Sequence, residues 1–277
     1  MDTMKPLKHF FSVTGTVAPG LAAWVAERLW FTPPRPPVSA AARAALSKGD
    51  AYPLAVDGRR LAAWTFGEGP TVALMHGWGG YAGQLEPFIA PLVAAGHRVV
   101  AFDALGHGSS PASTAGRRQS TFHDFAAGLK AIAASAGPLH GIVAHSGGAV
   151  ATGIALRQGL TVKRLALLAP MTRPAEYAAI YSDALGLSEA VQARWQKRAT
   201  DRLKGSWASF DVTTLSPAPP TLVVHDREDR EVPFADGELL ARSWPGAELY
   251  PVTGLGHRRL LKDADVIRRT VEFLGDR

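Results

Sequence analysis

The chain has 277 residues, 47% of them hydrophobic and 19% charged, which is enough apolar material for a sizeable core and excludes disordered and fibrous classes. It contains no cysteine, which removes a disulfide scaffold, an iron–sulfur cluster, a cysteine-based zinc site and a cysteine nucleophile. The net charge of +6 comes from scattered pairs such as Arg59–Arg60, Arg117–Arg118 and Arg268–Arg269, with no basic block or interleaved aromatics, so no nucleic-acid partner is expected.

The first fifty residues read differently from the rest. Lys5 and Lys8 precede an apolar stretch over residues 10–31 that is broken by Ser12, Thr14, Thr16, Pro19, Gly20 and the charged pair Glu27–Arg28. A membrane-spanning helix needs roughly 20 predominantly apolar residues, and these breaks argue against one. From Pro19 onward, Leu21, Trp24, Val25, Arg28 and Leu29 recur at helical spacing and predict an amphipathic helix lying over the body of the protein. A helix held at a membrane surface and a cleaved signal are the alternatives, neither of them favoured. Thr32-Pro33-Pro34-Arg35-Pro36-Pro37 should end that helix and run extended, with a second short helix over 39–47. Residues 1–50 are thus expected to form an N-terminal helical extension, and the protein is placed in the cytoplasm.

From residue 51 short apolar runs alternate with helix-length segments. Strands are predicted at 60–66, 71–75, 98–102, 141–144, 164–168, 221–224 and 248–252. Helices are predicted at 81–95, 121–136, 148–158, 234–243 and 263–274. Continuous runs such as Val99-Val100-Ala101-Phe102 suit strands buried on both faces. The alternation predicts an α/β domain over 51–277, a mostly parallel sheet with helices on both faces. Residues 170–219 break the pattern: they have no strand run, are helix-prone around 189–204, and carry Tyr177, Tyr181, Trp195, Trp207 and Phe210. About fifty residues exceed an ordinary crossover, so this stretch is expected to form a small helical cap inserted before the next strand. Plain crossover helices with packed aromatics are the alternative.

The most informative segment is Gly141-Ile142-Val143-Ala144-His145-Ser146-Gly147-Gly148-Ala149. An apolar strand runs directly into Ser146 and then into a helix start rich in small residues. Such a turn lifts the serine clear of the sheet, and it requires small residues two before and two after, where strand and helix nearly touch. This is the G-x-S-x-G arrangement with Ala144 at the first glycine. A serine hydroxyl needs a base to take its proton. Of nine histidines, His257 lies between the last strand and the last helix, at the sheet edge where Ser146 emerges. The base in turn needs an anionic partner. Residues 225–233, just beyond a strand, offer Asp229, with Asp226 the main rival and Glu228 third.

The order Ser146, acid, His257 is the order of the α/β-hydrolases, and the chain resembles a serine esterase or lipase-like member of that superfamily over roughly residues 53–273. Leu74-Met75-His76-Gly77-Trp78-Gly79-Gly80 is similar to the family's oxyanion turn, residues 101–109 to its Asp-x-x-Gly-x-Gly loop, and His225 through Pro233 to its acid segment, with Asp226 where a glycine is usual. The resemblance implies an oxyanion hole made by the backbone N–H groups of Trp78 and Gly147, with Asp103, His76 and His107 holding loops. It implies acyl transfer from a small-molecule ester of apolar or small aryl character, without metal or other cofactor. Thioesters, lactones, acyl transfer to another acceptor, and a non-catalytic binding protein on the same scaffold are the alternatives. A serine at this turn argues against the dehalogenase and epoxide-hydrolase branches, which use an aspartate there. Nothing in the sequence specifies an oligomeric state.

Overall fold

The apolar runs form one eight-stranded sheet and a separate hairpin in the computed structural model, which describes residues 5–275. In chain order the strands are β1 (Asp50–Ala51), β2 (Ala55–Val56), β3 (Arg59–Arg60), β4 (Ala63–Phe66), β5 (Thr71–Met75), β6 (Arg98–Phe102), β7 (Leu139–His145), β8 (Val162–Leu168), β9 (Thr221–Asp226) and β10 (Ala247–Val252). β2 and β3 make the hairpin, and the others lie in the order β1-β4-β6-β5-β7-β8-β9-β10. Neighbours from β6 to β10 are parallel, while β4 and β1 extend that edge antiparallel.

The helices are α1 (Lys5–Val17), α2 (Pro19–Trp30), α3 (Ala40–Leu46), α4 (Ile89–Ala94), α5 (Phe122–Ala136), α6 (Gly148–Arg157), α7 (Pro174–Leu185), α8 (Glu189–Leu203), α9 (Phe234–Ser243), α10 (Gly256–Arg259) and α11 (Ala264–Gly275). On one face of the sheet α4 and α11 bury Leu92, Val266 and Leu274 with Val72, Val99 and Val143. On the other, α5, α6 and α9 bury Phe125, Val150 and Leu240 with Ala73, Ile142 and Val223. Cover on both sides is why β5 and β9 are buried at every position and why their centres, residues 72–75 and 222–224, are continuous apolar runs. No helix among the described residues is long and apolar enough to cross a membrane.

Three local expectations are corrected. The helix predicted over 81–95 is two single tight turns followed by the six-residue α4, since Pro87 removes a backbone donor in its middle. The strand predicted over 60–66 is interrupted at Leu61 and Ala62, whose amides bond to the Leu54 carbonyl and Ser110 Oγ instead of a sheet neighbour. The third lies in α2. Its packed face is not the bulky one: Ala22, Ala23, Ala26 and Glu27 are buried, whereas Leu21, Trp24 and Leu29 are exposed.

The small face packs because it lets α2 lie close on α8 of the cap. Glu27 is buried, and a carboxylate there needs matched charge; Arg198 Nε and Arg202 Nε each approach it at 2.7 Å. Tyr181 of α7 donates its hydroxyl to the Ala26 carbonyl at 2.7 Å. Trp30 sits among Tyr181, Trp195 and Trp207, with ring centroids 5.1–5.9 Å away. Helices α1 and α2 therefore pack with α7–α8, inserted between β8 and β9, as one helical layer above the sheet's carboxyl edge.

Candidate active site

Neighbouring parallel strands β5 and β7 send their following loops in opposite directions, β5 toward β6 and β7 toward β8. The gap this opens at their carboxyl ends is where ligands bind in open α/β sheets. Ser146 leaves β7 at this gap and the turn containing Trp78 leaves β5.

Ser146 has φ +53°, left-handed backbone that a non-glycine residue adopts at a cost of about 1–3 kcal/mol. The surrounding chain holds it there: its N–H donates to the Leu168 carbonyl at 3.0 Å, and its carbonyl accepts from Met171 N–H at 3.2 Å and Ala149 N–H at 3.0 Å. The small residue two positions on is obligatory, since a Cβ on Gly148 would stand 2.8 Å from Met75 Cγ and 2.9 Å from the His76 carbonyl oxygen. The β5 turn passes equally close: a Cβ on Gly77 would lie 2.9 Å from Ser146 Cβ. A Cβ built on Gly147 would be 3.6 Å from the Trp78 amide nitrogen, so the two expected oxyanion donors are neighbours. Among the described residues neither amide has an acceptor.

His257 stands on the short α10, where a loop was expected, and lines the same cleft as Ser146 and Trp78. Its Nδ1 lies 2.8 Å from Asp229 Oδ2. Asp229 Oδ1 accepts the amides of Glu231 at 2.8 Å and Val232 at 3.0 Å, and His225 Nε2 is 3.5 Å from Oδ2. Burial alone would raise the Asp229 carboxyl; the hydrogen bonds from His225, His257 and Val232 outweigh it and hold the group well below the usual carboxylate range. The Ser146 hydroxyl and the His257 ring share the cleft without being hydrogen-bonded to each other; such contacts commonly tighten only when substrate binds. Asp226, the rival acid, faces elsewhere. Its two oxygens accept the Glu228 and Leu255 amides, each at 2.7 Å, which ties the acid loop to the segment leading into His257.

The surrounding residues lock these loops. His76 Nδ1–H donates to the Gly77 carbonyl at 2.8 Å while its Nε2 accepts Ala104 N–H at 3.1 Å, and His107 Nε2 accepts Gly79 N–H at 3.1 Å. Asp103 accepts the amides of Ala82 and Ser109 at 2.7 and 2.8 Å. His145 is a positioning residue that residue pattern did not single out: its Nε2–H donates to the His257 carbonyl at 2.9 Å and its ring lies 4.6 Å from the His257 ring. The sequence signal was its place immediately before Ser146.

Burial keeps three of these histidines neutral. It pushes His76 down to about 4, and His107 and His145 to about 3, the last two helped by a neighbouring histidine's charge. An unfolded histidine titrates near 6.5, so below that pH the unfolded chain binds three protons that the folded chain resists. The histidine contribution to stability is therefore present above pH 6.5 and lost as pH falls toward 4. Asp103, pushed up to about 6 by burial, has the opposite sign and offsets one proton. His97, lowered by burial and by the neighbouring His140, acts in the same direction, so stability should fall by roughly 2–4 kcal/mol per pH unit between pH 6 and 4, measured by urea unfolding across that range. A midpoint that does not move with pH there would contradict this account.

Two cavities meet at Trp78. A cleft of about 610 Å³ contains Ser146, His257 and the Trp78 turn, and its far wall is the N-terminal strap at Pro34, Arg35 and Ala42. A second chamber of about 340 Å³ is almost wholly apolar, lined by Trp30, Phe31, Trp78, Phe122, Trp207 and Phe210 among others. Residues 29–42 therefore wall both spaces. Only the proline run hinted at this, as a strap too stiff to coil freely.

Comparison with known proteins agrees with this architecture. The family model described as serine aminopeptidase, S33, matches residues 69–231, more than half of the chain. A carbamate hydrolase candidate, RutD of Variovorax paradoxus, is 28% identical over 248 residues, covering 75% of this chain and 92% of that protein. Among solved structures, one titled Est816 as an N-acyl homoserine lactone degrading enzyme superposes with a TM-score of 0.63 at 20% identity, covering 79% of this chain and 98% of its own. The esterase EaEST from Exiguobacterium antarcticum superposes with a TM-score of 0.61 at 18% identity, covering 82% of this chain and 99% of its own. At such identities the superpositions speak to fold, and the family match speaks to lineage: the chain is a hydrolase of the α/β-hydrolase superfamily and belongs to the family described as serine aminopeptidase, S33.

Proposed function

We propose that the protein hydrolyses carboxylic esters with an apolar acyl group through Ser146, His257 and Asp229. The observation that carries this reading is the convergence at one cleft of a serine held at positive φ, two neighbouring unengaged amides, and a histidine bonded to a buried carboxylate. Ser146 Oγ attacks the ester carbonyl while His257 Nε2 takes its proton. The Trp78 and Gly147 amides receive the oxyanion, each such donor being worth about 2.7–4 kcal/mol in the transition state. His257 then protonates the departing alkoxide, the C–O bond breaks, and an acyl-serine remains. Water, deprotonated by His257, attacks that ester and releases the acid and the free serine. Asp229, held ionised, fixes the tautomer of His257 and stabilises its imidazolium form.

The apolar chamber behind Trp78 is the space for the acyl chain, and the cleft toward Arg35 and Lys262 is the route for the alcohol. Thioesters and lactones carry the same electrophilic carbonyl and belong in the same panel. The test is a p-nitrophenyl ester series from acetyl to dodecanoyl, with a fluorophosphonate label read by peptide mass spectrometry. The expected result is a rise in kcat/KM as the chain lengthens beyond acetyl and a label on the Ser146 peptide. A label on another residue, or no turnover of any ester, thioester or lactone, would overturn the reading.

A further inference from the structure

The face of α2 that the body of the protein leaves uncovered is the bulky one, and it is not alone. All the large hydrophobic side chains exposed among the described residues lie on three helices: Val13 and Val17 on α1, Leu21, Trp24 and Leu29 on α2, and Ile180 on α7. Val17 is 75% exposed and Trp24 43%, values a folded chain in water gains nothing by maintaining. Leu29 and Ile180 are at once exposed and part of the wall of the apolar chamber, so the chamber's mouth opens at this patch.

Charge specifies what covers it. The helices that carry the patch, α1 and α2, hold Lys5, Lys8 and Arg28 against a single acid, Glu27, which is buried and paired with Arg198 and Arg202. On neighbouring α7, Glu176 is paired with Arg173, leaving Asp183 as the exposed acid of that helix. Arg28 lies over the Trp24 ring at 5.0 Å, an amphipathic pair of the kind that sits at headgroup depth. Helices with a bulky apolar face and flanking cations, too short and interrupted to span, lie in the plane of an anionic lipid surface.

We infer that α1, α2 and α7 seat this protein on an anionic membrane surface through Val17, Leu21, Trp24 and their neighbours, with the chamber mouth at Leu29 and Ile180 facing the lipid. An apolar ester partitioned in the membrane would then enter the chamber without crossing water. That last link rests on the ester reading; the docking does not.

The experiment is sedimentation of the full chain with vesicles of phosphatidylcholine alone and with one quarter phosphatidylglycerol. The wild type should bind the anionic vesicles, bind the neutral ones more weakly, and lose binding as salt rises. Leu21→Glu/Trp24→Glu should weaken partition by about 100-fold while hydrolysis of soluble p-nitrophenyl acetate is unchanged. Brominated lipid should quench the wild type more than Trp24→Phe. Ser146→Ala should bind as the wild type does, which separates a failure of docking from a failure of the ester reading. Equal partition of wild type and double variant, or a wild-type dimer that the double variant turns into a monomer, would overturn the inference, the latter by showing that a second copy covers this face.

Discussion

Ser146→Ala is expected to lower kcat for ester hydrolysis by at least about 10⁴-fold with little change in KM. The hydroxyl is the group proposed to form the acyl-enzyme, and removing it leaves only water attack assisted by the oxyanion donors and binding, which retain a small part of the rate. The acyl chain would still find the chamber lined by Phe31, Phe122 and Phe210, so ground-state binding should persist. A fold effect is separable from a chemical one at this position. With φ +53° a glycine is free of the steric cost of about 1–3 kcal/mol that serine bears, which outweighs the roughly 0.4–1 kcal/mol of extra unfolded-chain entropy glycine brings, so Ser146→Gly should be equally inactive yet no less stable. Chain-length kinetics and urea unfolding of both variants check the pair. Esterase activity above a tenth of wild type in Ser146→Ala would remove the proposed mechanism, whatever the stability of Ser146→Gly.

How legible this site was differs from residue to residue. The strand at 71–75 and the helix at 234–243 have the bounds read from the chain alone, because each is an apolar or amphipathic run closed by breakers. Ser146 and His257 are legible at one sheet edge because parallel strands deliver all their following loops to the same side, while Trp78 comes only from the family resemblance. What the pattern could not decide was α2. Hydrophobic periodicity assigns the bulkiest stripe to the interior, yet the packed face is Ala22, Ala23, Ala26 and Glu27. Close approach to α8 selects alanine, and the charge that matches Glu27 comes from Arg198 and Arg202, more than 170 residues away in the chain. Local sequence carries no trace of such a partner. The same limit hid the strap at residues 34–42 as a wall of the cleft, since its role depends on where a proline-rich segment is laid across the turn at Trp78.

Asp229→Asn and Asp226→Asn should differ by orders of magnitude, although the two acids are three residues apart. Asp229 Oδ2 faces His257 Nδ1 at 2.8 Å and stays ionised at any working pH, because the hydrogen bonds from His225, His257 and the Val232 amide outweigh the cost of its burial. An asparagine whose amide N–H₂ pointed at Nδ1 would put the ring proton on Nε2, the atom that must accept from Ser146, and the imidazolium formed during attack would lose its counter-charge. A fall in kcat of about 10⁴-fold follows, with KM nearly unchanged. Asp226 makes no hydrogen bond to the His257 ring; it accepts two amides, Glu228 and Leu255. Asparagine there keeps one acceptor oxygen and leaves one amide unpaired, a stability loss of about 1–3 kcal/mol that reaches catalysis only through the segment before His257. The expected outcome is a Tm that drops for Asp226→Asn while its kcat stays within about tenfold of wild type, since a loss of this size in fold stability leaves the folded fraction near one. If Asp226→Asn instead shows the larger fall in kcat, His257 takes its partner from the end of β9 and the assignment of Asp229 is wrong.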